Sequence, residues 1–310
     1  MHRKILVAVD GSVYSSNTIR YLGRLFEDLD DIFFHLLCTV PSTASDAGRE
    51  WLEDQELLNV LDAESRQRFS KAKRHMNEMV LQFSRRGMDP HQISTEVKLA
   101  RMGVTDDILS AAQKGLYDAL VIGRRGLTKL EGMIMGSTST NILEKCHDVP
   151  IWIVDGQVNS RKFLVPVDGS FETLKAVDHL AFILKDNPYA EITLFHSTAM
   201  FSQRQTPALE ECAELFGREW CALHLVGSDN HFHGPEQLLL DSGFPAARLH
   251  RLETSKGLYA SRQIVRQALI DGFGTIVMGR RGSEIKKGVF GSVSGKVVAM
   301  IEDVAIWLVG

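Results

Sequence analysis

Asp118-Ala119-Leu120-Val121-Ile122-Gly123-Arg124-Arg125-Gly126, running on through Leu127 to Met135 into Gly136-Ser137, reads as a buried strand, a glycine-punctuated loop and the opening of a helix. Leu120, Val121 and Ile122 are a short apolar run of the kind found in a parallel strand covered on both faces. Gly123 and Gly126 permit a close approach that a side chain forbids. Ser137 is expected to cap the apolar-periodic segment behind it, with its hydroxyl and the amides of the first helical turn pointing into the loop. An anion fits there. The helix dipole favours a negative group by about 0.3 to 1 kcal/mol, so backbone alone can hold a phosphate chain without a dedicated basic side chain.

Outward from this stretch, apolar strands and helical segments alternate. Lys4–Val9 is a strand whose exit turn, Asp10-Gly11-Ser12, leads into a helix from about Tyr14 to Glu27. Ile32–Val40 is a second strand, ended by Pro41-Ser42-Thr43, and Trp51 to about Arg86 has no proline or glycine and reads as one long helix or two in succession. Ile93–Leu99, Ala119–Ile122 and Val149–Val154 are the remaining strands, with helices over Gly103–Lys114 and Thr138–Lys145. Such alternation predicts an α/β fold with a doubly wound parallel sheet, because parallel strands need helical crossovers. Ligands of such sheets bind beyond the carboxyl ends of the strands, where the strand order switches, and Asp10, Thr39 and Gly123 all lie at such ends.

After the polar connector Asp155–Ser160 the pattern restarts: Lys162–Ser170 repeats Lys4–Ser12 almost residue for residue. Glu191–Thr198, Arg248–Glu253, Thr275–Met278 and Ala305–Val309 answer the later strands, and Ser261–Ile270 the third helix. The chain therefore reads as a tandem duplication, with domains at 1–156 and 157–310. The least matched part, Met200–Gly243, is expected to break into shorter pieces at Gly217, Gly227, Gly234 and Pro235.

The spacing of the opening stretch is specific: Gly123, two residues, Gly126, nine residues, then Gly136-Ser137. It returns as Gly279-Arg280-Arg281-Gly282 followed, after eight residues, by Gly291-Ser292. This pattern resembles the nucleotide-binding signature of the universal stress proteins, in which the two glycines and the Gly-Ser pair wrap the phosphates and ribose of ATP. The resemblance covers almost the whole chain. It implies two Rossmann-like domains, similar to adenine nucleotide alpha hydrolases, that bind ATP, or AMP or ADP, with Mg2+ as an optional companion. The second loop is one residue short, which moves the Gly291 amide relative to Gly279 and leaves binding there weaker, different or absent. In the family the fifth strand pairs two domains in an antiparallel contact, which implies an intramolecular pseudo-dimer here and leaves room for a homodimer.

Each candidate residue also has a plain structural reading. Asp10 and Asp168 make Asp-Gly turns that cap the next helix, and by resemblance lie beside the adenosine. Thr39 and Ser197 stand where the family places a valine against the adenine. They read equally as ordinary strand ends, and a backbone contact is favoured over side-chain recognition. Arg124-Arg125 and Arg280-Arg281, with Arg125 the residue taken into the site, offer guanidinium forks for phosphate or simply solvated loop charges. Lys129 and Lys286 have weaker claims. Ser137, Ser139, Ser292 and Ser294 cap their helices; in the family the first of each pair contacts phosphate and the second lies nearby.

The composition bounds the alternatives. A formal charge of -4 and a pI near 6.3 give no footprint for nucleic acid or an anionic membrane, and the basic run from Arg66 to His75 reads as a solvated helix face. The apolar run after Met1-His2-Arg3-Lys4 is too short for a signal peptide or a membrane span, which leads to the expectation of a cytoplasmic protein. Cys38, Cys146, Cys212 and Cys221 form no Cys-x-x-Cys pair, so reduced packing thiols are expected. His231, His233 and nearby His224 do not have the spacing of a known metal site. The glycine loops carry no evident general base, so binding by a sensor or switch is favoured over catalysis. The rival readings are a slow ATPase or self-phosphorylating enzyme, and an interaction module that has lost its nucleotide and meets an unknown protein partner.

Overall fold

In the first half the apolar runs become five strands: β1 Arg3–Ala8, β2 Ile32–Val40, β3 Ile93–Leu99, β4 Ala119–Gly123 and β5 Ile151–Val154. They lie in the order β3-β2-β1-β4-β5, and every neighbouring pair is parallel. The strand order switches between β1 and β4. Asp118 fixes that junction: its N–H donates to Lys4 O at 2.9 Å and its carboxylate accepts from Lys4 N at 2.7 Å. The computed structural model describes residues 2–41, 62–125, 135–199, 209–226, 230–280 and 292–310, and the chain divides into units Met1–Gln157 and Val158–Gly310.

The crossovers of the first unit are α1 Val13–Leu25, α2 Ala63–Ser84, α3 Val104–Lys114 and α4 Ser137–Lys145. The long helix expected from Trp51 is α2 from Ala63 onward, with residues 51–61 outside those described. Asp62 starts it by accepting from Ser65 N at 2.7 Å. A short turn over Pro90–Gln92 then feeds β3, and Gln92 Nε2 donates to Leu29 O and Ile32 O at 2.7 and 2.8 Å. On the polar face of α2, Arg68 pairs with Glu64 and Lys73 lies over Phe69 at 4.9 Å, so the basic run is a solvated helix face. Phe26 stacks on Trp152 of β5 at 6.1 Å, and Trp152 is fully buried.

The second unit repeats the plan. Its strands are β6 Lys162–Val167, β7 Glu191–Ala199, β8 Leu249–Arg251, β9 Ser255–Gly257, β10 Thr275–Gly279 and β11 Ala305–Val309. The order is β11-β10-β6-β7-β8, with β9 also on β7. The single third strand expected over Arg248–Glu253 is thus two short pieces on one partner, with Leu252 N held by Leu194 O at 3.0 Å between them. The helices are α5 Phe171–Ile183, α6 Leu209–Phe216, α7 Arg218–His224, α8 Asn230–Asp241, α9 Ala260–Ile270 and α10 Val293–Met300.

Gly217 does break the divergent segment, at φ +85° before α7, and Gly227 lies outside the described residues. Gly234 and Pro235 break nothing: both sit inside α8. The reason is packing. A Cβ at Gly234 would fall 2.7 Å from Leu225 and 3.5 Å from Leu174, so glycine lets α8 settle against its neighbours, and Leu239 on the same helix is fully buried. This tertiary burial outweighs the hydrogen bond that Pro235 cannot make. The residues of β5 and β11 are buried along their whole length. Among the described residues no helix is long and apolar enough to cross a membrane.

Candidate functional site

At the end of β1 the chain turns through Asp10-Gly11-Ser12. Asp10 Oδ1 accepts from Ser12 N at 3.0 Å and from Ser15 Oγ at 2.7 Å, while Asp10 N donates to Ser15 Oγ at 3.0 Å. Ser12 caps α1 by accepting from Ser15 N at 3.3 Å. Gly11 takes φ +76° with the His75 ring 2.9 Å from where its Cβ would sit, so this turn requires glycine twice over. The second unit builds the same turn: Asp168 Oδ1 accepts from Ser170 N, Ser170 Oγ and Thr173 Oγ1 at 3.0, 2.6 and 2.8 Å. The turn reading of both aspartates therefore holds, engaging Oδ1 of each, while the helix caps themselves are Ser12 and Ser170.

Beside Asp10 lies the end of β2. Cys38 is buried, and burial together with the charge of Asp10 pushes its thiol up to about 12, so it stays protonated and is no nucleophile at neutral pH. Its neighbour Thr39 is 8% exposed, and its Oγ1 is buried with no hydrogen-bond partner among the described residues. In the second unit the matching hydroxyl is satisfied. Ser197 Oγ donates to Gln263 Oε1, and Gln263 Nε2 donates to Ser255 Oγ at 3.1 Å.

The glycine loop closes this end of the sheet. Arg124 N donates to Val154 O at 3.0 Å, and Gly136 N donates back to Arg124 O at 3.0 Å, which brings the start of α4 to the tip of β4. Ser139 Oγ then donates to Gly123 O at 2.8 Å. Gly123, Gly136, Ser137 and Ser139 are thereby gathered at one place. Ser137 does not cap α4, contrary to expectation. Gly136 is the N-cap, with no side-chain cap, because its amide is already fixed to the strand end and the chain enters the helix one residue earlier. The first intrahelical bond is Thr140 N to Gly136 O at 2.9 Å, so the amides of the first turn have no acceptor within the helix. In the second unit Ser292 is the cap, accepting from Gly295 N at 3.0 Å and lying 3.1 Å from Ser294 Oγ.

Arg124 turns inward. Its side chain is buried, and Nη1 donates to Asp155 Oδ2 at 3.0 Å, with both side chains at 6% exposure or less. An arginine directly after a buried strand has nowhere to go but inward, and the aspartate directly after the next parallel strand meets it there. Asp155 is the residue that sequence reasoning missed, because Asp155-Gly156 reads as linker; the Asp-Gly pair at the end of a strand, repeated from Asp10-Gly11, was the available signal. Arg280 is buried too, with its N–H on Val309 O at 2.7 Å. Arg125 is partly exposed. Gly126, Lys129, Arg281, Gly282, Lys286 and Gly291 lie outside the described residues.

The glycines that open the loops differ in their surroundings. A Cβ on Gly123 would lie 3.1 Å from Arg125 O and 3.7 Å from Tyr14 Cβ, whereas on Gly279 it would lie 2.3 Å from Glu172 O. Gly279 is thus explained by the first turn of α5 pressed against it. Of the histidines, His224 Nδ1 and His233 Nε2 are 3.1 Å apart, while His231 stacks on His196 at 4.3 Å and His196 Nδ1 donates to Val167 O at 2.6 Å. Among the described residues no group of three or more His, Cys, Asp or Glu is placed to hold a metal ion.

Comparison with known proteins matches this architecture. No curated protein sequence matches the chain. A universal stress protein from Archaeoglobus fulgidus DSM 4304 superposes over 99% of this chain and 95% of its own, with TM-score 0.63 at 19% identity. A functionally unknown protein from Pseudomonas aeruginosa PAO1 does so over 99% and 92%, with TM-score 0.56 at 14% identity. At these identities the likeness is one of fold. The sequence pattern itself is matched twice, at residues 1–155 and 159–302, by the model of the universal stress protein family, and the chain belongs to that family.

Proposed function

We propose that this universal stress protein binds an adenine nucleotide, with ATP as the preferred ligand, at the carboxyl edge of the first unit's sheet, and that it acts as a nucleotide-responsive sensor or switch. The observation that carries the reading is the return of Gly136 to Arg124 O, which sets the first-turn amides of α4, with no acceptor within their own helix, at the tip of β4, beside the strand-order switch. Backbone donors at a helix N-terminus suit a phosphate chain, and this crevice is where doubly wound sheets take ligands. Thr39 supports the fit from the other side, as a buried hydroxyl that awaits a partner. In this reading Asp10, at the next strand end, serves the ribose, and Gly123, Gly136, Ser137 and Ser139 serve the phosphate side, with Arg125 at its rim. A Mg2+ ion accompanying ATP would depend mainly on phosphate oxygens and water for its ligands.

Binding, not hydrolysis, is the activity these groups serve: Asp10 Oδ1 is occupied by its turn, and Cys38 is held as a thiol. The test is to denature the purified protein, identify any released nucleotide by mass spectrometry, and titrate stripped protein with ATP. Co-purifying adenine nucleotide or saturable ATP binding is expected; protein that arrives empty and takes up no ATP refutes the reading.

A further inference from the structure

Thr39 and Ser197 hold matching places at the ends of β2 and β7, yet their hydroxyls have opposite fates. Thr39 Oγ1 is more than nine-tenths buried and has no partner among the described residues. Such a group is costly to leave unsatisfied, which makes it the mark of a site built for something that arrives later. Ser197 has its partner already in the carboxamide of Gln263, which spans from Ser197 to Ser255 across the tips of β7 and β9. Gln263 is the fourth residue of α9. The fourth residue of α3 is Asp107, and its carboxylate is turned to its own loop, accepting from Arg101 N at 2.7 Å and Met102 N at 3.4 Å. The first unit leaves Thr39 Oγ1 without a partner among the described residues, where the second pairs Ser197 Oγ.

The filling group is chemically telling. A carboxamide presents an acceptor and a donor side by side, the same pair that the N1 and 6-amino edge of adenine presents. The surroundings of the two strand ends differ as well. Glu172 O lies 2.3 Å from the Cβ position of Gly279, against 3.1 Å for the nearest atom at Gly123, and His196, in the place of Cys38, is stacked on His231.

We propose that the Thr39 hydroxyl is a base-reading group of the first unit, hydrogen-bonded to the edge of the bound purine, and that Gln263 occupies the corresponding place in the second unit and closes it to nucleotide. This rests on the adenine-nucleotide reading above and adds which unit binds and which side chain recognises the base. The chain then has one nucleotide site, although its two halves descend from one pattern.

The experiment is calorimetric titration of the full chain, stripped of nucleotide, with ATP, for the wild type, Thr39→Val and Thr39→Ser, with the melting temperature of each nucleotide-free protein. One ATP per chain is expected. Thr39→Val should weaken binding by about fivefold to tenfold, the worth of one hydrogen bond, while Thr39→Ser stays within about twofold. The valine variant should also melt higher when empty, because it removes a buried hydroxyl that has no partner. A purely structural threonine would not combine tighter folding with weaker binding. Two equivalent sites in the wild type overturn the closed second unit. Unchanged affinity in Thr39→Val, or a lower melting temperature of its empty form, overturns the role of the hydroxyl while leaving nucleotide binding itself standing. A wild type that takes up no ATP overturns the functional reading and this inference with it.

Discussion

Replacing Asp155 by alanine tests the inward-turned arginine most directly. The change removes a carboxylate oxygen 3.0 Å from Arg124 Nη1, in a place where the arginine side chain is 3% and the aspartate 6% exposed. Two unit charges about 4 Å apart attract by roughly 4 kcal/mol at an effective dielectric of about 20. Measured losses of one partner from a buried pair run at about 3 to 5 kcal/mol, because the remaining charge keeps its desolvation penalty. We expect Asp155→Ala to destabilise the first unit by about 3 kcal/mol. The double variant Arg124→Met/Asp155→Leu should recover most of that, since it removes both buried charges and keeps the volume.

Because the chain has two units, a single denaturation midpoint would mix them. Hydrogen exchange at Leu120–Gly123 of β4 reads the first unit alone. Protection there should fall by about two orders of magnitude in Asp155→Ala and return in the double variant. A loss of less than about 1 kcal/mol, or single-site effects of Arg124→Met and Asp155→Ala that add to within about 0.5 kcal/mol, would show that the pair is not buried together and would refute the argument. The consequence reaches the candidate site, because Arg124 O is the acceptor that holds Gly136.

Gly279→Ala should cost about 1 to 3 kcal/mol, read as lost exchange protection in β10, because its Cβ meets backbone at Glu172 that cannot swing away; Gly123→Ala, with 3.1 Å of clearance, should cost at least about 1 kcal/mol less. Burial beside Trp307 pushes His179 down to about 3. The unfolded imidazole, near 6.5, therefore binds a proton that the folded one refuses, so the second unit loses stability as pH falls from about 6.5 towards 3, by up to about 1.4 kcal/mol per pH unit from this group. His179→Phe should flatten that limb, read as exchange protection in β10 at pH 7 and pH 5 relative to intrinsic rates, and an unchanged slope would remove His179 as its cause. Asp62→Ala should cost α2 about 1 kcal/mol through the lost cap on Ser65 N, visible as faster exchange in its first turns.

The central strands were legible because they are buried on both faces. Runs such as Leu120-Val121-Ile122 have no solvent-facing positions to blur them, and the Asp-Gly turns at Asp10 and Asp168 announce where strands end. The covering layer was harder to read. Whether Gly234 and Pro235 interrupt a helix depends on Leu225 and Leu174, residues remote in sequence that reward the close approach. The loop arginines show the same limit at the candidate site. Arg124-Arg125 looks like one basic patch, but alternation at a strand end sends the first inward to Asp155 and leaves the second towards solvent, and only the partner strand decides it. Ser137 misled for a local reason, since Gly136 was already committed as a donor to Arg124.

A repeat inherits its turns more faithfully than the pairing of its strand-end hydroxyls. Asp10 and Asp168 each accept from the serine amide two residues on at 3.0 Å and from the hydroxyl five residues on at 2.7 and 2.8 Å, because that turn starts a helix in both units whatever the crevice above it does. Thr39 and Ser197 differ because nothing in the fold requires a strand-end hydroxyl to be either open or filled. If one unit alone holds the ligand, as proposed, the other can satisfy its strand end from within, and a glutamine on the covering helix is sufficient. On the proposed reading, the shortening of the second loop by one residue is a change of the same kind, expected where no phosphate chain has to be wrapped. Matching motifs in the two halves therefore argue for common ancestry, and the hydrogen-bond inventory at each strand end argues for which half retains a use for it.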